Sequence, residues 1–202
     1  MWALRAEECN LSKCSRALRS ARWLSLAIVV LVTVVVDLAT TVWAKTYLRA
    51  RTASFFGGVV KLRLVYNTGA AFGIGEQHEW LVEVAEVVVI VVLWFLLRST
   101  NWIGRIGFAL AIGGGIGNLV VRWIGPDGPL RSPVVDWIHL SFYPSTFNSA
   151  DVALRVGIVV AIIGLIVDSR RRRAARSSQP AATAASDEPS LHLGHEPQSS
   201  KE

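Results

Sequence analysis

The sequence predicts an α-helical integral membrane protein with four transmembrane helices and a small extracytoplasmic β-rich loop region. Three observations point there. Hydrophobic residues make up 52% of the 202-residue chain and charged ones 18%, with a mean hydropathy of +0.42, which is too apolar for an ordinary water-soluble domain. Four apolar runs each approach the ~20 residues that a helix needs to cross about 30 Å of hydrocarbon. The segments flanking those runs divide Lys and Arg unevenly, 13 of the 21 falling on one side of a four-span topology.

Residues 1–22 carry Arg5, Lys13, Arg16, Arg19 and Arg22 ahead of an apolar run from Trp23 to about Trp43. That run is too long for the apolar region of a secretory signal, and no small-residue cleavage site follows it, so it reads as an uncleaved first span. Residues 44–79 are mixed and punctuated by glycine. Within them Gly57 to Tyr66 alternates well enough to predict short strands in the main external loop. Trp80 to about Leu97 is the second span, and about Ile103 to Ile124 the third, joined by a polar turn with Arg98 and Arg105. The third contains Gly113-Gly114-Gly115-Ile116-Gly117, small residues that let helices approach closely in a membrane. Residues 125–149 form a second external loop and Ala150 to Val167 the fourth span. The expected organisation is a basic cytoplasmic N-tail (1–22), a four-span domain (23–168) and a cytoplasmic C-tail (169–202), basic from Arg170 to Arg173 and then disordered.

Charge and composition exclude several function classes. The net charge of +6 comes from basic residues beside hydrophobic runs and not from a stripe interleaved with aromatics, so membrane lipids are the expected partner and nucleic acid is not. Cys9 and Cys14 both lie in the N-tail, which supports neither a disulfide framework nor a cysteine nucleophile. The four histidines show no zinc-binding spacing, and no metal or cofactor is expected.

The polar residues inside or beside the spans are read first as functional, because a charge near hydrocarbon costs roughly 2.5–3.5 kcal/mol on insertion scales. Asp136 and Asp151 stand in the stretch Pro133 to Asp151, just before the fourth span. If two such carboxyls meet, both cannot comfortably ionise, so one keeps a proton while the other activates a water. Each has a plain reading as well: Asp151 as a first-turn helix acid, Asp136 as a loop acid. Asn148 stands three residues before Asp151. Asp37, 14 residues into the first span, falls roughly 21 Å from its cytoplasmic start at ~1.5 Å per residue. Asn118 and Arg122 are i and i+4 on the third span and share a face, where the arginine either serves a site or snorkels to the interface. Tyr66 to Phe72, containing Asn67, Gly69 and Ala70, is either a β-turn or a backbone surface for an extended peptide. Glu83 and Glu86 read as interfacial. Arg155, one turn after Asp151, either pairs with that acid or points to the head groups.

The motifs Asn67-Thr-Gly-Ala-Ala-Phe72, Gly113-Gly-Gly-Ile-Gly-Asn118-Leu-Val-Val-Arg122, Val134-Val-Asp136-Trp and Phe147-Asn148-Ser-Ala150-Asp151 resemble, in order and spacing over about residues 30–165, those of lipoprotein signal peptidase, or signal peptidase II. Thr41 stands where that family's first motif usually carries lysine, and Val121 where its third usually carries an acid. The resemblance implies a bacterial inner-membrane aspartic endopeptidase with both termini cytoplasmic and its site near the outer face. It would act on diacylglyceryl-modified prolipoproteins, cutting on the N-terminal side of the lipidated cysteine. Asp136 and Asp151 would be its catalytic dyad. Asn67, Gly69, Ala70, Asn118, Arg122 and Asn148 would support the dyad or the substrate backbone, and Asp37 would be the first-span acid. The alternatives are a non-catalytic relative that binds lipidated signal peptides and a small proton-relaying transport component.

Overall fold

A computed structural model describes residues 2–69, 79–128 and 132–177. Ala70, the end of its turn motif at Phe72, and the tail beyond Ser177 lie outside the described residues. Four long helices, α1 (Trp2–Tyr47), α2 (Glu79–Arg98), α3 (Trp102–Ile124) and α4 (Ser149–Ser177), each contain a stretch long and apolar enough to cross a membrane. Their lipid-facing character is visible in what they leave uncovered. Leu31 and Val35 on α1, Val88 and Phe95 on α2, and Val159 and Ile163 on α4 are 49–62% exposed, as befits faces that meet hydrocarbon. The first helix is longer than its predicted span at both ends. Its apolar part runs Ser20–Tyr47, so the basic N-terminal segment continues the same helix.

The central element is α3, in which 61% of the span is buried against 17–22% in the other three. Its glycine run explains how three neighbours pack on one helix. Successive residues turn by about 100°, so three in a row look in three directions. A Cβ on Gly113 would lie 2.7 Å from the Thr33 side chain of α1, one on Gly114 would overlap the Ala150 carbonyl of α4, and one on Gly115 would lie 2.9 Å from Ile90 of α2. Gly117 does the same for Asp37, whose carboxylate oxygen would be 2.9 Å from a Cβ there. Close approach of backbones, with dispersion contacts in place of a hydrophobic driving force, holds such a bundle in lipid.

The two long loops form one structure. β1 (Ala53–Phe55), β2 (Val60–Asn67), β3 (Val134–Leu140) and β4 (Thr146–Phe147) make an antiparallel sheet in that order. Of the stretch Gly57 to Tyr66 read as short strands, Val60 onward is β2 while Gly57 and Gly58 lie in a 3-10 turn, and residues 125–149 read only as a loop. Val134–Leu140 is buried at its first three positions and half-buried after them, so it lacks the apolar-polar alternation of a strand with one wet face. Between Leu62↔Ile138 and Val65↔Asp136 the second strand advances three residues and the third two. This one-residue bulge sits next to Asp136 and lets the strand re-aim there.

The glycine geometry predicts an order of damage. Gly114→Ala drives a methyl into the α4 backbone, whereas Gly115→Ala meets only the rotatable end of Ile90. Thermal unfolding in detergent should show Gly114→Ala destabilised by about 1–3 kcal/mol and Gly115→Ala by less; equal midpoints would mean that α4 does not rest on this glycine.

Candidate active site

Pairing of β2 with β3 carries Asn67 to the side of Asp136. The Asn67 Nδ2 donates to Asp136 Oδ2 at 2.9 Å, and its Oδ1 accepts from the Gly69 backbone N–H at 3.0 Å. Asn148 approaches from the other side as the N-cap of α4, its Oδ1 accepting from the Asp151 N–H at 2.8 Å. Its Nδ2 donates to Asp136 Oδ1 at 3.1 Å and to Asn118 Oδ1 at 2.9 Å. Asn118, from α3, then donates through Nδ2 to Asp151 Oδ1 at 3.2 Å. An amide's nitrogen and oxygen ends are assigned from their partners, and here the partners decide. The Gly69 and Asp151 backbone N–H groups can only donate, so Asn67 and Asn148 must turn their oxygens to them and their NH₂ groups to Asp136. Asn118, facing the NH₂ of Asn148, must then offer its own NH₂ to Asp151.

Both carboxylates therefore line one cavity of about 410 Å³, with Asn67, Asn118, Asn148 and Arg122 around them and Val82, Val89 and Leu154 on its apolar wall. Asp136 is 2% exposed. Burial pushes its carboxyl from the ordinary 3.8 up to about 7, the neighbouring Asp151 adding to the rise while the Asn67 hydrogen bond, Arg122 and Arg155 oppose it.

Arg122 does not snorkel. Only 4% exposed, it donates from Nη2 to the Gly69 carbonyl at 2.7 Å and from Nη1 to the Thr68 carbonyl at 3.4 Å, so it clamps the turn that positions Asn67. Its Nε lies 3.9 Å from Glu86 Oε2. Glu86 is thus not interfacial as expected but lines the cavity, and Glu83 is 3% exposed. The signal for Glu86 was in the sequence. It lies seven residues beyond the start of α2 at Glu79, inside the predicted second span, where the reasoning applied to Asp37 applies equally.

Asp37 stands behind the cavity and not in it. Its Oδ1 accepts from the Ser149 hydroxyl at 2.7 Å and the Ala150 N–H at 2.9 Å, and the Ser149 hydroxyl also lies 2.6 Å from that of Thr40. An acid on α1 thereby caps the N-terminus of α4, satisfying an otherwise unpaired N–H and the positive end of the helix dipole. With Asn148 on the next N–H, the two caps fix where Asp151 emerges. Thr41 and Val121, the positions that depart from the resembled motifs, are both buried, 5% and 4% exposed. Arg155 does approach Asp151, with Nη1 3.8 Å from Oδ2, while its guanidinium lies over the rings of Phe147 at 5.3 Å and Tyr143 at 6.0 Å.

Residues 29–167 match the family model described as signal peptidase (SPase) II. The chain is 36% identical to the lipoprotein signal peptidase of Mycobacterium leprae over 158 residues, covering 75% of this chain and 77% of that protein. It is 35% identical to that of Rhodococcus jostii, covering 75% and 79%. A bacterial membrane enzyme structure determined by the in meso method at 2.3 Å resolution has the same fold, with a TM-score of 0.62 at 21% identity over 72% of this chain and 89% of that one. With the matched region reaching from within the first membrane helix to within the fourth, and including the sheet, the chain belongs to the signal peptidase II family of membrane proteases.

Proposed function

We propose that Asp136 and Asp151 are a catalytic dyad that removes the signal peptide from diacylglyceryl-modified prolipoproteins, cutting on the N-terminal side of the lipidated cysteine. The observation that carries this reading is the amide network itself. Two carboxyls from different elements share one cavity, and each has an oxygen held by an asparagine NH₂ whose orientation is forced. In the ground state Asp136 carries the proton, consistent with its raised range, and each of its oxygens keeps a lone pair for its amide while the O–H donates to the scissile carbonyl. Asp151 takes a proton from water as the water oxygen attacks the carbonyl carbon and Asp136 passes its proton to the carbonyl oxygen, giving a tetrahedral diol. Asp151 then returns that proton to the departing amine as the C–N bond breaks, and Asp136 recovers its own proton from the collapsing diol. The Asn67-Gly69 turn held by Arg122 supports an extended peptide backbone beside the dyad, and Asp37 and Asn148 keep Asp151 in place. The lysine and arginine distribution supports both termini in the cytoplasm of a bacterial inner membrane, with the sheet and the dyad at the outer face, where the substrate's acyl chains stay in lipid.

Purified protein in detergent, given a diacylglyceryl prolipoprotein, should release the signal peptide. Asp136→Asn and Asp151→Asn should each abolish turnover while the protein still inserts and folds. Because a dyad works as a unit, the double variant should be little worse than either single one. Cleavage near the wild-type rate by either single variant would refute the two-carboxylate mechanism.

The pH dependence follows from the sign of the Asp136 shift. A carboxyl raised to about 7 holds its proton up to neutrality and loses it above, so kcat/KM should fall as pH rises through that value. A profile flat from pH 6 to 9, or one rising throughout, would contradict the assignment of the acid to Asp136.

A further inference from the structure

Arg155 carries N–H donors that neither the dyad nor the fold uses. Among the described residues no acceptor takes a hydrogen bond from it: its nearest carboxylate oxygen, on Asp151, is 3.8 Å away, a charge contact only. The guanidinium carbon lies over the rings of Phe147 and Tyr143, contacts that give its N–H groups no oxygen acceptor. The side chain is 42% exposed and lines the cavity. Three residues before and four after it on the same helical face, Val152 and Val159 are 38% and 57% exposed and meet lipid. A held, donor-rich cation thus stands at the seam between the cavity and the bilayer.

We propose that Arg155 is a specificity-determining residue that donates hydrogen bonds to the ester oxygens of the diacylglyceryl group on the substrate cysteine. This rests on the peptidase reading above. The geometry fits the substrate's chemistry. The scissile nitrogen and the glycerol esters are separated by the cysteine side chain, a thioether and part of the glycerol, a run of a few bonds, and the nearest Arg155 nitrogen stands 3.8 Å from the Asp151 carboxylate. A scissile bond over Asp151 therefore brings ester oxygens to Arg155 while the acyl chains run out along the valine face. These oxygens would be the only hydrogen-bond acceptors that the lipid part of the substrate offers. Phosphate oxygens of bulk phospholipid share the same acceptor chemistry, and the experiment separates the two sources.

The test measures binding and turnover of two synthetic lipopeptides, one carrying a diacylglyceryl cysteine and the other its dialkyl ether, which lacks the ester carbonyls. Arg155→Met should weaken binding of the diacyl peptide and raise its KM about tenfold, the scale of a lost charged hydrogen bond, with kcat changed little and the ether peptide bound as by wild type. Arg155→Lys should lie between, and thermal midpoints of both variants report folding. Equal weakening for the two peptides would overturn the proposal. So would a fall in kcat at unchanged KM, which would make Arg155 a partner of Asp151 alone. An effect that appears only in phospholipid nanodiscs, and not in micelles of a phosphate-free detergent, would assign Arg155 to bulk phosphate instead. Binding of the diacyl peptide is read without turnover, so a wild-type protein that binds it but cuts nothing would count against the peptidase reading and not against this one.

Discussion

One amide joins three elements of this protein. Asn148, 1% exposed, gives its oxygen to the first turn of α4 and its NH₂ to β3 and α3 at once. An amide offers two N–H donors and one acceptor oxygen, and here each is in use. Deep in a membrane protein such a group either finds every partner or becomes a liability, since an unsatisfied buried polar atom costs about 1–3 kcal/mol. The satisfied form also fixes distances. Because the same NH₂ group serves Asp136 and Asn118, and Asn118 serves Asp151, the two carboxyls are spaced by a chain of hydrogen bonds and not by loop flexibility.

The bundle makes that chain possible by bringing α3 within backbone distance of each neighbour. Glycines at 113, 114 and 115 admit α1, α4 and α2 respectively, and Gly117 leaves room for Asp37. Asp37 then holds the start of α4 from α1, so the helix bearing Asp151 is tied at its first turn to both neighbours. Arg122 ties the sheet to α3 in the same way, through two backbone carbonyls of the turn after β2. Each tie uses a polar group inside a lipid-solvated fold, and each ends at the cavity or directly behind it. The polar groups that make these ties are thus concentrated at one end of the bundle, and the opposite half packs on Leu26, Leu97, Phe108 and similar side chains.

How much of this could be read beforehand depends on range. Span number and the meeting of polar residues at one depth follow from hydrophobic run length and helical rise, which are local and linear in sequence. The motifs around Asn67, Asn118, Asp136 and Asp151 carried the family resemblance. The third strand was illegible because a strand buried at one end lacks alternation, and its partner β2 lies some 70 residues earlier. Consequently the Asn67 to Asp136 hydrogen bond, a product of strand register, was invisible. Asp37 was read as part of the site from its charge, its depth and its match to the resembled first-span acid, and none of these distinguishes an acid in the cavity from one capping a helix behind it. Glu86 failed for the opposite reason: near a predicted helix end it passed for an interfacial charge, although Arg122 draws it into the cavity wall.

The Asn148 amide either positions the proposed dyad or only caps a helix. Asn148→Ser separates the two, because serine is about as good an N-cap as asparagine yet has no NH₂ to give Asp136 and Asn118. Steady-state cleavage of a diacylglyceryl prolipoprotein by this variant should show kcat reduced about 100-fold with KM little changed and α4 still helical, the scale of losing a group that orients a catalytic one. A kcat within a factor of about two of wild type would contradict the claim that this network builds the site.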